Sequence, residues 1–138
     1  MKSCIQNFTP YSKVCGAYLR LMRFDKPIGI ALLFCPVAWS LEILSSGHAP
    51  LSIFLIFFLG TVSMRAAGCV INDIFDQDID HHVTRTCTRP LATNELSTRQ
   101  ALNVCLILLF FSVSLLLFLP WSCWLLAVVA LASTIIYP

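Results

Sequence analysis

Four of the seven acidic residues in this 138-residue chain fall within one short stretch. The stretch reads Asn72-Asp73-Ile74-Phe75-Asp76-Gln77-Asp78-Ile79-Asp80. On a helix at about 100° per residue, Asp73, Asp76 and Asp80 fall within an arc of about 60°. Asn72 falls beside Asp76, whereas Asp78 falls on the opposite face, where we expect it to be solvated. The spacing therefore predicts that three carboxylates and one amide converge.

Three carboxylates on one face repel one another, so a positive charge is expected among them. Carboxylate and amide oxygens are hard ligands that suit Mg²⁺, an ion often shared between one or two carboxylates and a phosphate group. The pattern indicates a Mg²⁺-bound diphosphate at this acidic face. A solvated acidic helix end that binds nothing is the alternative.

Three arginines lie near this acidic stretch in the sequence. Arg85 and Arg89 follow it, four residues apart. They can bind a diphosphate or a carboxylate in a fork, and a cytoplasmic anchor or a salt bridge to the aspartates is equally consistent with their positions. Arg65 lies about two helical turns before Asn72, inside an apolar run. A cation in such a run usually has a functional or a paired role, so we expect Arg65 to pair with the acids or to line the same cavity.

The elements that carry these residues are predicted to be membrane helices. Hydrophobic residues make up 58% of the chain and charged residues 12%, about half the charge of a typical soluble domain. Because a crossing needs about 20 mainly apolar residues, the sequence predicts four spans. They cover about 28–45, 51–75, 101–119 and 121–138. We therefore predict an all-α fold, a polytopic membrane helical bundle that forms one domain over 1–138.

Basic residues predict the orientation of this bundle. Lys and Arg residues precede the first predicted span and recur in the segment 72–99, which contains the acidic stretch. The connections at 46–50 and at Pro120 contain none. By the positive-inside rule, the N-terminus and the segment 72–99 face the cytoplasm or the matrix. A net charge of +2 is too small to favour binding to nucleic acid. The four apolar runs make the lipid bilayer the expected surrounding.

The acidic stretch and its flanks resemble the first aspartate-rich motif of the UbiA-type intramembrane prenyltransferases. The matching residues are Asn72-Asp73-x-x-Asp76-x-x-x-Asp80, preceded by Arg65-Ala66-Ala67-Gly68-Cys69-Val70-Ile71 and followed by Arg85-Thr86 and Arg89-Pro90-Leu91. The run from Tyr18 to Gly29, with Pro36 and Trp39 in the first span, is similar too. Within the family, these flanks look most like those of the 4-hydroxybenzoate polyprenyltransferases. The similarity extends from about residue 15 to the end of the chain.

This resemblance implies an all-helical enzyme with about nine spans around one cavity, four of which are expected in this chain. It implies that Mg²⁺, bound to two aspartate-rich motifs, holds the diphosphate of a polyprenyl diphosphate. Departure of the diphosphate leaves an allylic cation, which attacks the ring of 4-hydroxybenzoate in ubiquinone biosynthesis. The implied location is the bacterial inner (cytoplasmic) membrane or the mitochondrial inner membrane.

The resemblance also assigns roles to individual residues. Asp73, Asp76 and Asp80 would be catalytic and, with Asn72, would form the first metal and diphosphate site. The substrate-binding residues would be Asn72, Arg65, Arg85 and Arg89, the arginines taking the diphosphate or the benzoate carboxylate. The apolar spans would hold the prenyl tail.

Two departures from the family pattern limit the expected activity. Ala92-Thr93-Asn94 stands where the family has Ser-Gly, and the second aspartate-rich motif is not found within 1–138. We therefore expect a fragment, a split-gene half that meets a complementary C-terminal half, or a decayed copy, insufficient for catalysis by itself. A membrane prenyltransferase with another aromatic or a haem acceptor is one alternative. A non-catalytic four-span fragment whose acids bind a cation or a partner is another.

Overall fold

The structure of the chain is a computed structural model that describes residues 10–80 and 82–136. All regular secondary structure in these two ranges is helical, as predicted. The helices are α1 (Pro10–Leu21), α2 (Ile28–Leu44), α3 (Leu51–Phe75), α4 (Gln77–Asp80), α5 (Thr98–Leu116) and α6 (Trp121–Ile136). Residues 137–138 of the last predicted span lie outside the described residues.

Two of the described helices are long and apolar enough, by length and composition, to cross a membrane. These are α3, with 25 residues, and α5, with 19. The other two apolar helices, α2 with 17 residues and α6 with 16, are shorter than that test requires. The prediction of membrane helices is thus supported directly for two of the four predicted spans.

Helix α3 is longer than the hydrocarbon layer of a membrane is thick. The helix begins after Pro50, whose φ of −59° and ψ of 130° end the preceding turn. Its 25 residues rise about 37 Å, whereas the hydrocarbon core is about 30 Å thick. If the apolar residues that begin the helix lie in the hydrocarbon, its last turns, which carry Asn72 and Asp73, reach the polar edge.

Helix α5 is the main packing partner of α3. Its start is fixed by a capping box in which Ser97 Oγ accepts from the Gln100 amide and Gln100 Oε1 accepts from the Ser97 amide at 2.9 Å. The helix begins at Thr98 and ends at Leu116, three residues earlier at each end than the predicted 101–119. Farther along, the hydroxyls of Ser63 and Ser112 lie 2.8 Å apart and join the two helices.

The buried core lies at the end of the molecule where α3 stops and α5 starts. It contains one cluster of side chains: Ala17, Leu21, Ala67, Val70, Leu91, Leu96, Ala101 and Cys105. They come from α1, α3, α5 and the connection between α4 and α5. No helix before residue 28 was predicted, yet α1 supplies two of these side chains. The acidic stretch is therefore supported by packed elements on several sides.

Candidate active site

The acidic stretch keeps a nearly continuous helical path. Helix α3 ends at Phe75, and Asp76 caps it with φ −83° and ψ −2°, its amide donating to the Asn72 carbonyl at 2.9 Å. The short helix α4 follows at once, and the Asp80 amide donates to the Asp76 carbonyl at 2.8 Å. Because this backbone stays helical, the side-chain positions remain close to those expected for an ideal helix.

One arginine joins the three carboxylates that were predicted to converge. Arg89 Nη1 lies 2.5 Å from Asp80 Oδ2, 3.3 Å from Asp73 Oδ1 and 3.5 Å from Asp76 Oδ2. Asp73 and Asp80 are buried, and half of the Asp76 side chain is exposed. The sequence left several interpretations of Arg89 open, and one of them, a salt bridge to the aspartates, is present in the structure.

The other predicted site residues lie outside this contact. Asp78 is exposed, as expected for the opposite face, and within the described ranges it makes no ion pair. Asn72 is exposed as well, and within the described residues its side chain makes no hydrogen bond to an arginine. Arg85 is exposed and has no acidic partner among the residues described. Arg89 therefore pairs with the acidic stretch and Arg85 does not, although the sequence predicted the same roles for both.

Arg23 is a site residue that the sequence reasoning missed. Its Nη2 donates to Asp73 Oδ1 at 3.0 Å, from the connection between α1 and α2. Burial lowers the pKa of Arg23, but the hydrogen bond and the negative charge of Asp73 outweigh this and raise the pKa above its usual value. Arg23 lies in the run from Tyr18 to Gly29, which is similar to the family, and this similarity was the signal that could have pointed to it. Its partner is 50 positions away.

Arg23 also has an unusual backbone conformation. Its φ is +58°, and the Phe24 amide donates to the Leu19 carbonyl at 3.0 Å while the Arg23 amide donates to the Arg20 carbonyl at 3.1 Å. This is a Schellman motif, in which glycine is the usual residue at the left-handed position. An L-residue there costs roughly 1 kcal/mol. The turn directs the chain away from α1 at the point where the guanidinium meets Asp73.

The two oxygens of Asp73 differ in their surroundings. The side chain is 1% exposed, and its Oδ1 is shared by Arg23 and Arg89. Its Oδ2 is buried and has no hydrogen-bond partner. Within the described ranges no group of three Asp, Glu, His or Cys side chains is arranged to hold a metal ion. The oxygen chemistry nevertheless fits Mg²⁺, because a buried carboxylate oxygen without a partner is a ligand of the required type.

Arg65 lies apart from the carboxylate cluster and contacts the start of α2. Its Nη2 donates to the Lys26 carbonyl at 3.3 Å, and no described acid forms an ion pair with it. A Cβ built on Gly29 would overlap Nη2 of Arg65 and lie 2.7 Å from Nε and 2.8 Å from Cζ. Of the two roles expected for Arg65, a pair with the aspartates is not found among the described residues, and a place in the same cavity stays a prediction.

An ion pair, a hydrogen bond and apolar contacts hold the connection that carries Arg89. Arg20 of α1 pairs with Glu95, and Thr98 Oγ1 donates to Gln77 Oε1 at 2.9 Å. Leu91 and Leu96 are buried on either side of this turn. These contacts fix both ends of the segment, and Arg89 is only 19% exposed between them.

The fold and the cluster define an all-helical chain in which two described helices are long and apolar enough to cross a membrane, with a charged site at the end of one of them. Residues 33–138 match the model of the UbiA prenyltransferase family, and the chain belongs to that family. The resemblance inferred from the motifs is thereby confirmed. No solved structure gives a significant match.

Several relatives carry one and the same name. The chain is 50% identical over 123 residues to "4-hydroxybenzoate octaprenyltransferase" of Legionella pneumophila (strain Paris), covering 89% of this chain and 44% of the relative. It is 49% identical over 122 residues to the enzyme of that name from Hydrogenovibrio crunogenus (strain DSM 25203 / XCL-2), covering 88% and 43%. The chain therefore spans less than half the length of the curated relatives it matches.

Proposed function

We propose that this chain forms the N-terminal part of a 4-hydroxybenzoate polyprenyltransferase, which transfers a polyprenyl group from its diphosphate to the ring of 4-hydroxybenzoate. The observation that carries the proposal is the convergence of Asp73, Asp76 and Asp80 on one guanidinium, that of Arg89, beside the buried Oδ2 of Asp73. Family membership and the shared name of the relatives support the reaction and both substrates.

Asp73, Asp76 and Asp80 are the residues that would hold Mg²⁺, with Asn72 at the adjacent helix end. A Mg²⁺ bound there would neutralise the charge that develops on the leaving diphosphate. Without a divalent cation, Arg23 and Arg89 balance the carboxylates. Arg89 also has further N–H donors, so it can bind oxygens of the diphosphate while it remains beside the acids.

The acceptor and the prenyl tail would occupy separate places. Arg65, which forms no ion pair with a described residue, would bind the carboxylate of 4-hydroxybenzoate. The tail would lie in an apolar cavity of about 440 Å³ between α3, α5 and α6, lined by residues that include Phe57, Met64, Leu116 and Trp124. This cavity is partly open among the described residues, so further helices or lipid would complete its wall. We also propose that α2 and α6 cross the membrane, with the segment 72–99 on the cytoplasmic side.

A transfer assay tests this proposal. The chain would be expressed in membranes by itself and fused to the remaining part of the Legionella relative, then supplied with Mg²⁺, polyprenyl diphosphate and labelled 4-hydroxybenzoate. We expect transfer by the fusion and little by the chain alone. No transfer by a folded fusion, while the intact relative is active, would contradict the proposal. Transfer to a different aromatic acceptor would revise the substrate.

Two matched variants of the fusion test the site. Asp73→Asn removes a charge from the cluster, and Asp78→Asn removes the same charge from the exposed face of the same stretch. We expect Asp73→Asn to lower the rate by about 100-fold, because a lost metal ligand removes several kcal/mol of charge stabilisation. Asp78→Asn should retain nearly full activity. Equal effects of the two variants would remove the basis for assigning catalysis to the buried face.

A further inference from the structure

Gly29 and Arg65 fit together in a way that the sequence motifs did not indicate. Gly29 lies in the first turn of α2, and the guanidinium of Arg65 from α3 passes directly over it. Any side chain at Gly29 would begin with a Cβ inside the space that three guanidinium atoms occupy. The Lys26 carbonyl then accepts from Nη2 and fixes the orientation of the group. The start of α2 thus accommodates the guanidinium of Arg65 in the space that the missing side chain of Gly29 leaves.

Arg65 differs from the other arginines that the structure places in or near the cluster. Arg20, Arg23 and Arg89 each pair with an acid, whereas the described contacts of Arg65 include only a neutral carbonyl. A partly buried guanidinium in a membrane helix is costly without an anion. The N-terminal end of α2, beside the same group, carries a partial positive charge that favours an anion as well.

The position of Arg65 indicates which anion this is. Eight residues separate it from Asp73, which is a rise of about 12 Å along α3. The diphosphate is expected at the carboxylate cluster, where Arg23 and Arg89 already provide positive charge. An anion at Arg65 would therefore belong to a different molecule. The planar fork of a guanidinium suits a carboxylate.

We propose that Gly29 is a positioning residue that sets the guanidinium of Arg65 for the carboxylate of the aromatic acceptor. This inference rests on the proposed function. Gly29 acts through Arg65 and need not touch the acceptor. In Gly29→Ala, the new methyl group displaces the guanidinium, and a shift of about 1 Å weakens a two-point hydrogen-bonded contact strongly. Alanine is also a better helix former than glycine, so the variant is expected to fold.

The experiment uses the whole chain in lipid nanodiscs and observes the Nε–H resonance of Arg65 by NMR, assigned by its loss in Arg65→Lys. In the wild type, we expect 4-hydroxybenzoate to shift this resonance and its uncharged methyl ester to leave it unchanged. In Gly29→Ala, the resonance should already differ without ligand, and the affinity for 4-hydroxybenzoate should fall by about tenfold or more. The matched control is Gly68→Ala in α3, because a Cβ there meets nothing within 4 Å.

The outcomes distinguish a failure of the role proposed for Gly29 from a failure of the acceptor site in the proposed function. If the wild type responds to 4-hydroxybenzoate and Gly29→Ala responds with the same affinity, the role of Gly29 is overturned and the acceptor site stands. If the wild-type resonance ignores 4-hydroxybenzoate, the acceptor part of the proposed function fails, and this inference fails with it. If Mg²⁺ and pyrophosphate shift it instead, Arg65 belongs to the diphosphate site. A Gly68→Ala effect equal to that of Gly29→Ala would indicate general perturbation and would also overturn the proposal.

Discussion

Arg89 contacts three carboxylates with one nitrogen, and this contact offsets the repulsion within the acidic cluster. Carboxylates this close repel one another unless a cation lies among them. The hydrogen bonding of Asp73 is nevertheless incomplete, since its buried Oδ2 has no partner. Leaving such an oxygen unsatisfied costs roughly 1–3 kcal/mol. An unsatisfied buried polar atom is typical of a binding site whose hydrogen bonds are completed by the ligand.

Replacing Arg89 should make the stability of the chain depend on divalent cations. In Arg89→Gln the three carboxylates lose their shared cation, so we expect a lower unfolding temperature than the wild type in the presence of a chelator. Added Mg²⁺ should restore part of this loss, because a ligand that binds the folded state stabilises it. The measurement is thermal unfolding in detergent with and without Mg²⁺.

Arg85→Gln is the control for this experiment. It removes the same charge from the same segment, but Arg85 is exposed and pairs with no acid in the part of the chain described. Its unfolding temperature should stay near that of the wild type with or without Mg²⁺. A cation response of equal size in both variants would mean that net charge, and not the cluster, is responsible.

At the scale of the elements, α1 determines where Arg23 lies. Ala17 and Leu21 of this helix are buried against the ends of α3 and α5, and the Schellman turn follows directly. The turn then places the guanidinium 3.0 Å from Asp73 Oδ1. The ion pair between Arg20 and Glu95 contributes less, because both side chains are more than 40% exposed and such pairs contribute about 0–1 kcal/mol. Apolar packing is therefore what holds α1.

Two leucines of α1 test this dependence. Leu21 is fully buried, and Leu19 is 45% exposed on the same helix. We expect Leu21→Ala to lower the free energy of unfolding by about 2–4 kcal/mol, whereas Leu19→Ala should change it by about 0.5 kcal/mol or less. Denaturant unfolding in mixed micelles measures both values. A small effect of Leu21→Ala would show that α1 is not packed on the bundle.

At the scale of the whole molecule, the polar site and the apolar surface are segregated. The core and every ion pair among the described residues lie near one end of α3, whereas many large apolar side chains on α2, α5 and α6 are exposed. Such a surface is suited to lipid or to further helices. The charge distribution of the connections makes a specific prediction about which side of the membrane the site faces.

Labelling of single cysteines would test that orientation. Cys87 is exposed in the segment 72–99, and His48 lies in the opposite connection. In a chain whose only cysteine is Cys87, a membrane-impermeant maleimide should react in inverted vesicles and not in right-side-out ones. In a cysteine-free chain carrying His48→Cys, the pattern should be reversed. Labelling of both positions from one side would overturn the predicted topology.

The sequence by itself determined the features that depend on local geometry and composition. The convergence of Asp73, Asp76 and Asp80 follows from helical spacing, and the helical class follows from long apolar runs. The cap at Ser97 is local in the same sense. The motif residues and their flanks were also sufficient to indicate the family, which was later shown over 33–138.

Only the tertiary structure decided which distant residues complete the site. Arg23 meets Asp73 across 50 positions of sequence, and Gly29 meets Arg65 from another helix. The distinction between Arg89, which contacts the acids, and Arg85, which does not, depends on how one connection folds against α1 and α5. These contacts are fixed by the packing of separate elements. Spacing along the chain carries no information about such packing, because each element can dock in many registers that leave its own local pattern unchanged.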